Sequence, residues 1–340
     1  MRNGFKIGTV IVLMAVVILG CAKKDAAERP YTVGLAFGGL DATPTVLMGY
    51  LTARMDELGW RYVITNADLD LNKTVSDIEN LVQQRPDFIL SRPPNQLVQP
   101  NVAQTCLDAK VPVAFMSLSG GYDIGVEATY ARRPTELGDP EILRGIPLAT
   151  FLNEYVATHP GFVPKIAFLV GDIAIDAREI CERSINIRDN LTVQWEEVIT
   201  TEALPNWSAN GAMKVMEDWI QKYPISEMNT IVCWSDEMCV GVVQALQAAG
   251  KNPDDYLVLS YDGLPIIEEY VSQGWVDATS AFDLKKQAVE MIKAIEDYKA
   301  GKTLDQYIYA TAIYVMTPGN LPALKAGQSP DYWDYSSYIK

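Results

Sequence analysis

From Tyr31 onward the chain alternates short apolar runs with longer stretches in which apolar residues return at helical spacing. Val33-Gly34-Leu35-Ala36-Phe37 reads as a buried strand. Val46, Leu47, Tyr50, Leu51, Met55 and Leu58 then fall on one side of a helix that Gly59 ends. Tyr62-Val63-Ile64 restarts the cycle, which continues as helix 74–84, strand 87–90, helix 98–109 and strand 113–116. In the second half strands are expected at 165–170, 192–199, 230–233, 257–260 and 276–281. Helices follow Asp176, Trp207, Asp236, Pro265 and Lys285. Apolar runs without strict alternation mark strands buried on both faces, so the pattern predicts parallel sheets covered by helices on either side. Nine or ten strands exceed a comfortable single sheet. The expectation is α/β: two doubly wound parallel-sheet domains joined by a multi-crossing hinge, with a ligand in the interdomain cleft.

The rhythm breaks between Tyr130 and Pro147, again at Phe282-Asp283-Leu284, and again near Val315 to Pro318. These breaks are expected to be the hinge. They assign residues 31–131 and 283–314 to one lobe and 132–282 and 315–325 to the other. Residues 326–340 carry Pro, Tyr and Trp333 without periodicity and read as an extended tail over the surface.

The N-terminus reads differently. Arg2 and Lys6 precede an apolar run from Ile7 to Leu19, too short for a spanning helix and the right length for a secretory h-region. Ile18-Leu19-Gly20-Cys21 resembles a bacterial lipobox. Residues 1–20 would then be a signal peptide, Cys21 the lipidated residue, and residues 21–30 a polar tether, with acyl chains anchoring the protein to a membrane. The chain carries a net charge of −15, and losing Arg2 and Lys6 with the signal would take it to −17. That balance argues against nucleic acid as a partner. A single histidine, His159, argues against a multi-His metal site or a His-based triad, and nothing calls for a metal or another cofactor. Cys106, Cys181, Cys233 and Cys239 form no CxxC pair. Cys106 and Cys233 sit in apolar runs as small buried hydrophobes, and a Cys233–Cys239 bridge stays open as an alternative.

In open parallel sheets ligands bind beyond the carboxyl ends of the strands. The residues there include Asp41 to Thr43, Ser91-Arg92, Ser117, Asp172 to Arg178, Trp207, Trp234-Ser235-Asp236-Glu237, Tyr261-Asp262 and Phe282-Asp283. Aromatics mixed with Arg and Asp suit a polyhydroxylated ligand: the rings cover C–H faces and the charged groups bond hydroxyls. Each residue has a structural alternative. Asp236 fits a helix N-cap, Asp262 a turn before Gly263, Arg178 a solvated helix face, and Trp207 and Trp234 a core. Phe37 and Phe115 read as core, Asp172 and Asp176 as solvated caps, and His159 as an exposed helix end.

Four stretches in order carry a resemblance. Trp234-Ser235-Asp236-Glu237-Met238, Tyr261-Asp262-Gly263-Leu264-Pro265, Gln273 to Thr279, and Pro112-Val113-Ala114-Phe115 are similar to segments of the periplasmic sugar-binding proteins of ABC transporters, the type I ribose/galactose-binding group. The similarity runs from about Val33 to Val315. It implies Rossmann-like lobes and a ligand site at Arg178, Trp207, Trp234, Ser235 and Asp262, with Phe282 at the hinge and Asp41, Thr43 and Ser117 from the other lobe. It also implies a monomer, with an ABC transporter permease as partner, and no enzymatic activity. The chain departs from the family pattern at Ser117-Leu118, where an Asp-Arg pair is common. It departs again at Ser235 and Phe282, where amides are common. These departures imply a sugar-like ligand other than ribose: a deoxysugar, a polyol or a glycoside-like compound. A sensory protein docking on a chemoreceptor or histidine kinase and a glycoside-acting enzyme are the competing readings. A transcription regulator of the same fold is disfavoured by the export signal.

Overall fold

The computed structural model describes residues 29–94, 98–118, 135–171, 182–201 and 207–338, with backbone alone at 117–118, 135–142 and 182. Cys21, Cys181 and Arg178 lie outside the described residues. Residues from Tyr31 onward form one compact unit built on two six-stranded sheets.

The first sheet holds β1 (Thr32–Phe37), β2 (Arg61–Asn66), β3 (Phe88–Arg92), β4 (Val113–Leu118), β5 (Thr135–Pro140) and β11 (Tyr307–Tyr309), in the order β11-β5-β4-β3-β1-β2. All its pairings are parallel. The second holds β6 (Lys165–Leu169), β7 (Glu196–Thr200), β8 (Thr230–Cys233), β9 (Leu257–Asp262), β10 (Ala278–Phe282) and β12 (Ile313–Met316), in the order β12-β10-β9-β8-β6-β7. Only β12 runs antiparallel there. In each sheet the order reverses at the first strand, between β1 and β3 and between β6 and β8. Such switch points open a crevice beyond the strand ends.

Helices cover both faces because parallel strands leave two apolar faces to bury. α1 (Ala42–Glu57) and α9 (Leu284–Lys299) close one face of the first sheet over Val33, Leu35, Phe88 and Leu90. α2 (Leu71–Gln83) and α3 (Gln99–Asp108) close the other over Ile89 and Phe115. α2 shows why the helix forms where it does. Asp70 accepts hydrogen bonds from the Asn72 and Lys73 amides, and Thr74, Ile78 and Leu81 recur on the buried side. The second lobe packs α4 (Gly145–Thr158), α5 (Glu182–Asn190), α6 (Ala209–Lys222) and α7 (Asp236–Ala248) around one large cluster. Cys106, Cys233 and Cys239 are buried free thiols. His159 is exposed at the end of α4, its ring stacked 3.9 Å from that of Tyr155.

Three expectations are corrected. The first crossing lies after Pro140 and not at 131/132, because β5 hydrogen-bonds between β4 and β11 in the first sheet. The last crossing lies at 310–312 and not at 314/315, because β12 hydrogen-bonds to β10 in the second sheet from Ile313 onward. The tail does more than lie on the surface. The Tyr332 hydroxyl donates to Asp283 Oδ2 at 2.6 Å, Trp333 N donates to Ile313 O at 2.7 Å, and Tyr335 is buried in the first-lobe core with its hydroxyl 3.0 Å from the Thr311 amide. These contacts fasten the tail across two of the three lobe crossings, at 282–284 and 309–313.

Candidate functional site

The switch points bring short polar segments together. On the first lobe Asp41 stands at the start of α1 with no capping bond from its side chain, Thr43 is half-buried in the first turn, and Arg92 ends β3. On the second lobe Asp262 ends β9, Ser235 precedes α7, and Trp207 precedes α6. Asp41 remains open to solvent, yet the surrounding protein desolvates its carboxyl and raises it above the usual range. Arg92 and Arg183 oppose that rise and the Asp262 charge adds to it. Groups from both lobes therefore act on one carboxylate. Glu237, in the first turn of α7, is likewise raised by burial and then by Asp41, while the Ala42 amide of α1 donates to it across the lobes. Leu264 of the second lobe is buried in the first-lobe cluster.

Asp262 is the most constrained residue of the group. Its φ of +111° lies where L side chains rarely go, and Gly263 follows at +70°. A Cβ on Gly263 would come within 2.2 Å of the Ala281 Cβ, so only glycine fits that turn. Asp262 Oδ1 accepts from Arg144 Nη2 at 2.9 Å, and both side chains are almost wholly buried. Arg144 also donates to the Ser280 carbonyl at 3.1 Å and lies 3.8 Å over the Phe282 ring. Phe282 thus sits at the hinge, packed in the first-lobe core with one face covered.

Asp236 is not the helix cap. Ser235 is, accepting from the Met238 amide at 3.2 Å. Asp236 instead lies fully buried one position on, accepting from the Ser260 hydroxyl, the Thr279 hydroxyl and the Leu264 amide at 2.7, 3.0 and 2.7 Å. Burial first, and the nearby Asp262 charge second, push its carboxyl up to about 7. It braces the loop after β9 from behind.

Trp234 leaves the expected site: it is 1% exposed, and its indole N–H donates to Ser184 Oγ at 2.7 Å inside the second-lobe core. An indole that satisfies its donor in the core has no face left for a ligand. Trp207 stands in front of it, ring centroids 6.1 Å apart, and rests so closely on Gly171 that a Cβ there would meet the ring at 2.5 Å. The Arg183 guanidinium lies 5.5 Å from the Trp207 centroid and hydrogen-bonds the Trp234 carbonyl. Ser117 lies near the carboxyl end of β4. Arg144, Arg183 and the bracing role of Asp236 carried no signal in the sequence pattern. Arg92 and Glu237 both stood among the strand-end residues.

The described residues hold no His, Cys, Asp and Glu group suited to a metal ion, and no helix among them is long and apolar enough to cross a membrane.

A family model described as a periplasmic binding protein domain matches residues 49–303. The chain belongs to that family of binding proteins and is not an enzyme. The ribose import binding protein RbsB of Bacillus subtilis is 24% identical over 284 residues, covering 83% of this chain and 86% of the relative. Two solved structures share the fold. An ABC transporter periplasmic solute binding protein from Actinobacillus succinogenes with bound D-allose has a TM-score of 0.76 at 19% identity, covering 87% of this chain and all of that one. A solute binding protein from Bacillus halodurans with bound myo-inositol has a TM-score of 0.74 at 20% identity, covering 89% and 100%. The architecture is that of type I periplasmic binding proteins.

Proposed function

We propose that this chain is an extracytoplasmic receptor that closes its two lobes around a small sugar or sugar-like polyhydroxylated ligand and delivers it to an ABC transporter permease. The observation that carries this reading is the meeting of both switch points on one polar cluster. Asp41 and Arg92 come from the first lobe and Arg183 and Asp262 from the second, with Trp207 beside them. The relatives' ligands, ribose, D-allose and myo-inositol, are all ringed polyols. A ligand touching both lobes stabilises the closed arrangement by the difference in contacts between closed and open states.

Asp262 accepts a ligand hydroxyl, Asp41 and Thr43 contribute from α1, and Trp207 covers a C–H face. Ser235 donates its hydroxyl proton while its oxygen caps α7. Ser117 and Phe282 border the site, and Arg178, outside the described residues, remains part of the proposal. Acylation of Cys21 holds the monomeric protein at the outer face of the membrane, with residues 21–30 as tether.

The test is thermal unfolding against D-ribose, D-allose, L-arabinose, myo-inositol and 6-deoxyhexoses. A ligand at about 1,000 times its Kd adds roughly 4 kcal/mol of stability, a rise of several degrees. A rise with one compound, lost in Asp262→Asn, supports the reading, and silence across the panel overturns it. Labelled palmitate that enters the wild type but not Cys21→Ala checks the anchor.

A further inference from the structure

We infer that Arg144 is the positioning residue of the ligand site, fixing Asp262 so that a single carboxylate oxygen is offered to the ligand; this deepens the proposed function and rests on it. Arg144 is the last residue before α4, just past the first crossing, and its side chain is 0% exposed. Burying a guanidinium costs several kcal/mol unless its partners are well placed, so its partners define what it does. Among them are Asp262 Oδ1, the Ser280 carbonyl on the neighbouring strand β10, and the face of Phe282 at the second crossing. The Tyr261 ring lies on a further side at 5.3 Å.

Three features of Asp262 need such a partner. Its backbone is strained at φ +111°, and a strained residue persists only when its surroundings over-determine it. It faces a second buried carboxylate, Asp236, whose own acceptors are filled by Ser260, Thr279 and Leu264. Arg144 is the cation that offsets this repulsion. Finally, Asp262 Oδ2 takes no hydrogen bond from any described residue, while Oδ1 is committed to Arg144. A ligand therefore meets one acceptor oxygen at this corner. A carboxylate with both oxygens free grips two neighbouring hydroxyls. This one gathers ligand hydroxyls on the lone pairs of Oδ2 and leaves the side towards Phe282 to a C–H, deoxy or ether position.

Arg144→Lys keeps the charge and removes the planar fork and the stacking. Calorimetric titration with the best binder among D-ribose, D-allose, L-arabinose, myo-inositol, L-fucose and L-rhamnose, on the whole chain, reads the result. The expected loss of affinity is at least about tenfold, the scale of one charge-assisted hydrogen bond, with Tm within about 3 °C. Phe282→Leu, which removes the ring under the guanidinium and leaves both charges, should lose affinity about threefold or more, and it decides the matter if Arg144→Lys does not fold. Lowered Tm with affinity unchanged in both variants makes Arg144 a structural ion pair and overturns the proposal alone. A wild type that binds none of the six sugars overturns the carbohydrate reading and this proposal with it.

Discussion

The two lobes share a topology and differ in how they furnish the cleft. Behind the first-lobe edge lies packed hydrocarbon, and its polar groups, Asp41 and Arg92, stand at the ends of elements with few side-chain bonds. Behind the second-lobe edge lie two buried polar sets side by side, Arg144 holding Asp262, and Ser260 and Thr279 holding Asp236. A preorganised wall carries orientation at low cost in lost freedom, and a plainer wall suffices to cover the ligand. Under the proposed function the second lobe is the template and the first the lid.

Asp262→Ala should do most to expose this difference. It strands the Arg144 charge in the interior, at a cost of about 3–5 kcal/mol, and removes binding. Asp41→Ala should weaken binding while leaving stability within about 0.5 kcal/mol, since its side chain caps nothing. Equal effects on chemical denaturation would break the comparison. Next in size, Gly263→Ala forces a Cβ against Ala281 at positive φ, and should cost about 2 kcal/mol or more in urea unfolding. A further effect separates the lobes by pH. Burial above all raises the Asp277 carboxyl of the second lobe to about 7, from an unfolded value near 4. The folded state holds the extra proton between these values. Its contribution to stability is present below about pH 4 and lost as pH rises through 7, with a slope of at most about 1.4 kcal/mol per pH unit. Asp277→Asn should flatten that slope, and an unchanged slope would refute the assignment. Smallest of all, Glu237→Gln keeps an acceptor for the Ala42 amide and removes a negative charge beside Asp41. Stability should shift by under about 0.5 kcal/mol, read by thermal unfolding at two salt concentrations.

The doubly wound architecture was readable in the chain because its strands are buried on both faces and so print as apolar runs. β5 was not. Thr135-Glu-Leu-Gly-Asp-Pro140 has the composition of a turn, and only pairing with β4 and with β11, far along the chain, makes it a strand. The same holds for the site. Asp262 was visible because a strand end and a glycine flank it. Arg144 was not, since its partner lies 118 residues away and Leu-Arg-Gly at a helix start reads as surface. Ser235 and Asp236 differ by one position. Which of them caps α7 depends on Ser260 and Thr279, on strands β9 and β10, and no local preference encodes that.

The order of strands along the chain also governs when the molecule can assemble. The first sheet takes its last strand from Tyr307–Tyr309 and the second from Ile313–Met316, while Tyr332 and Tyr335 fasten the crossings only after both. A nascent chain made only as far as Gln306 leaves each sheet without its last strand and the hinge untied. Such long-range closure makes folding slow and late. A polypeptide that must be threaded through a membrane before it folds gains from that delay, because the strand that completes either sheet is made after all its others.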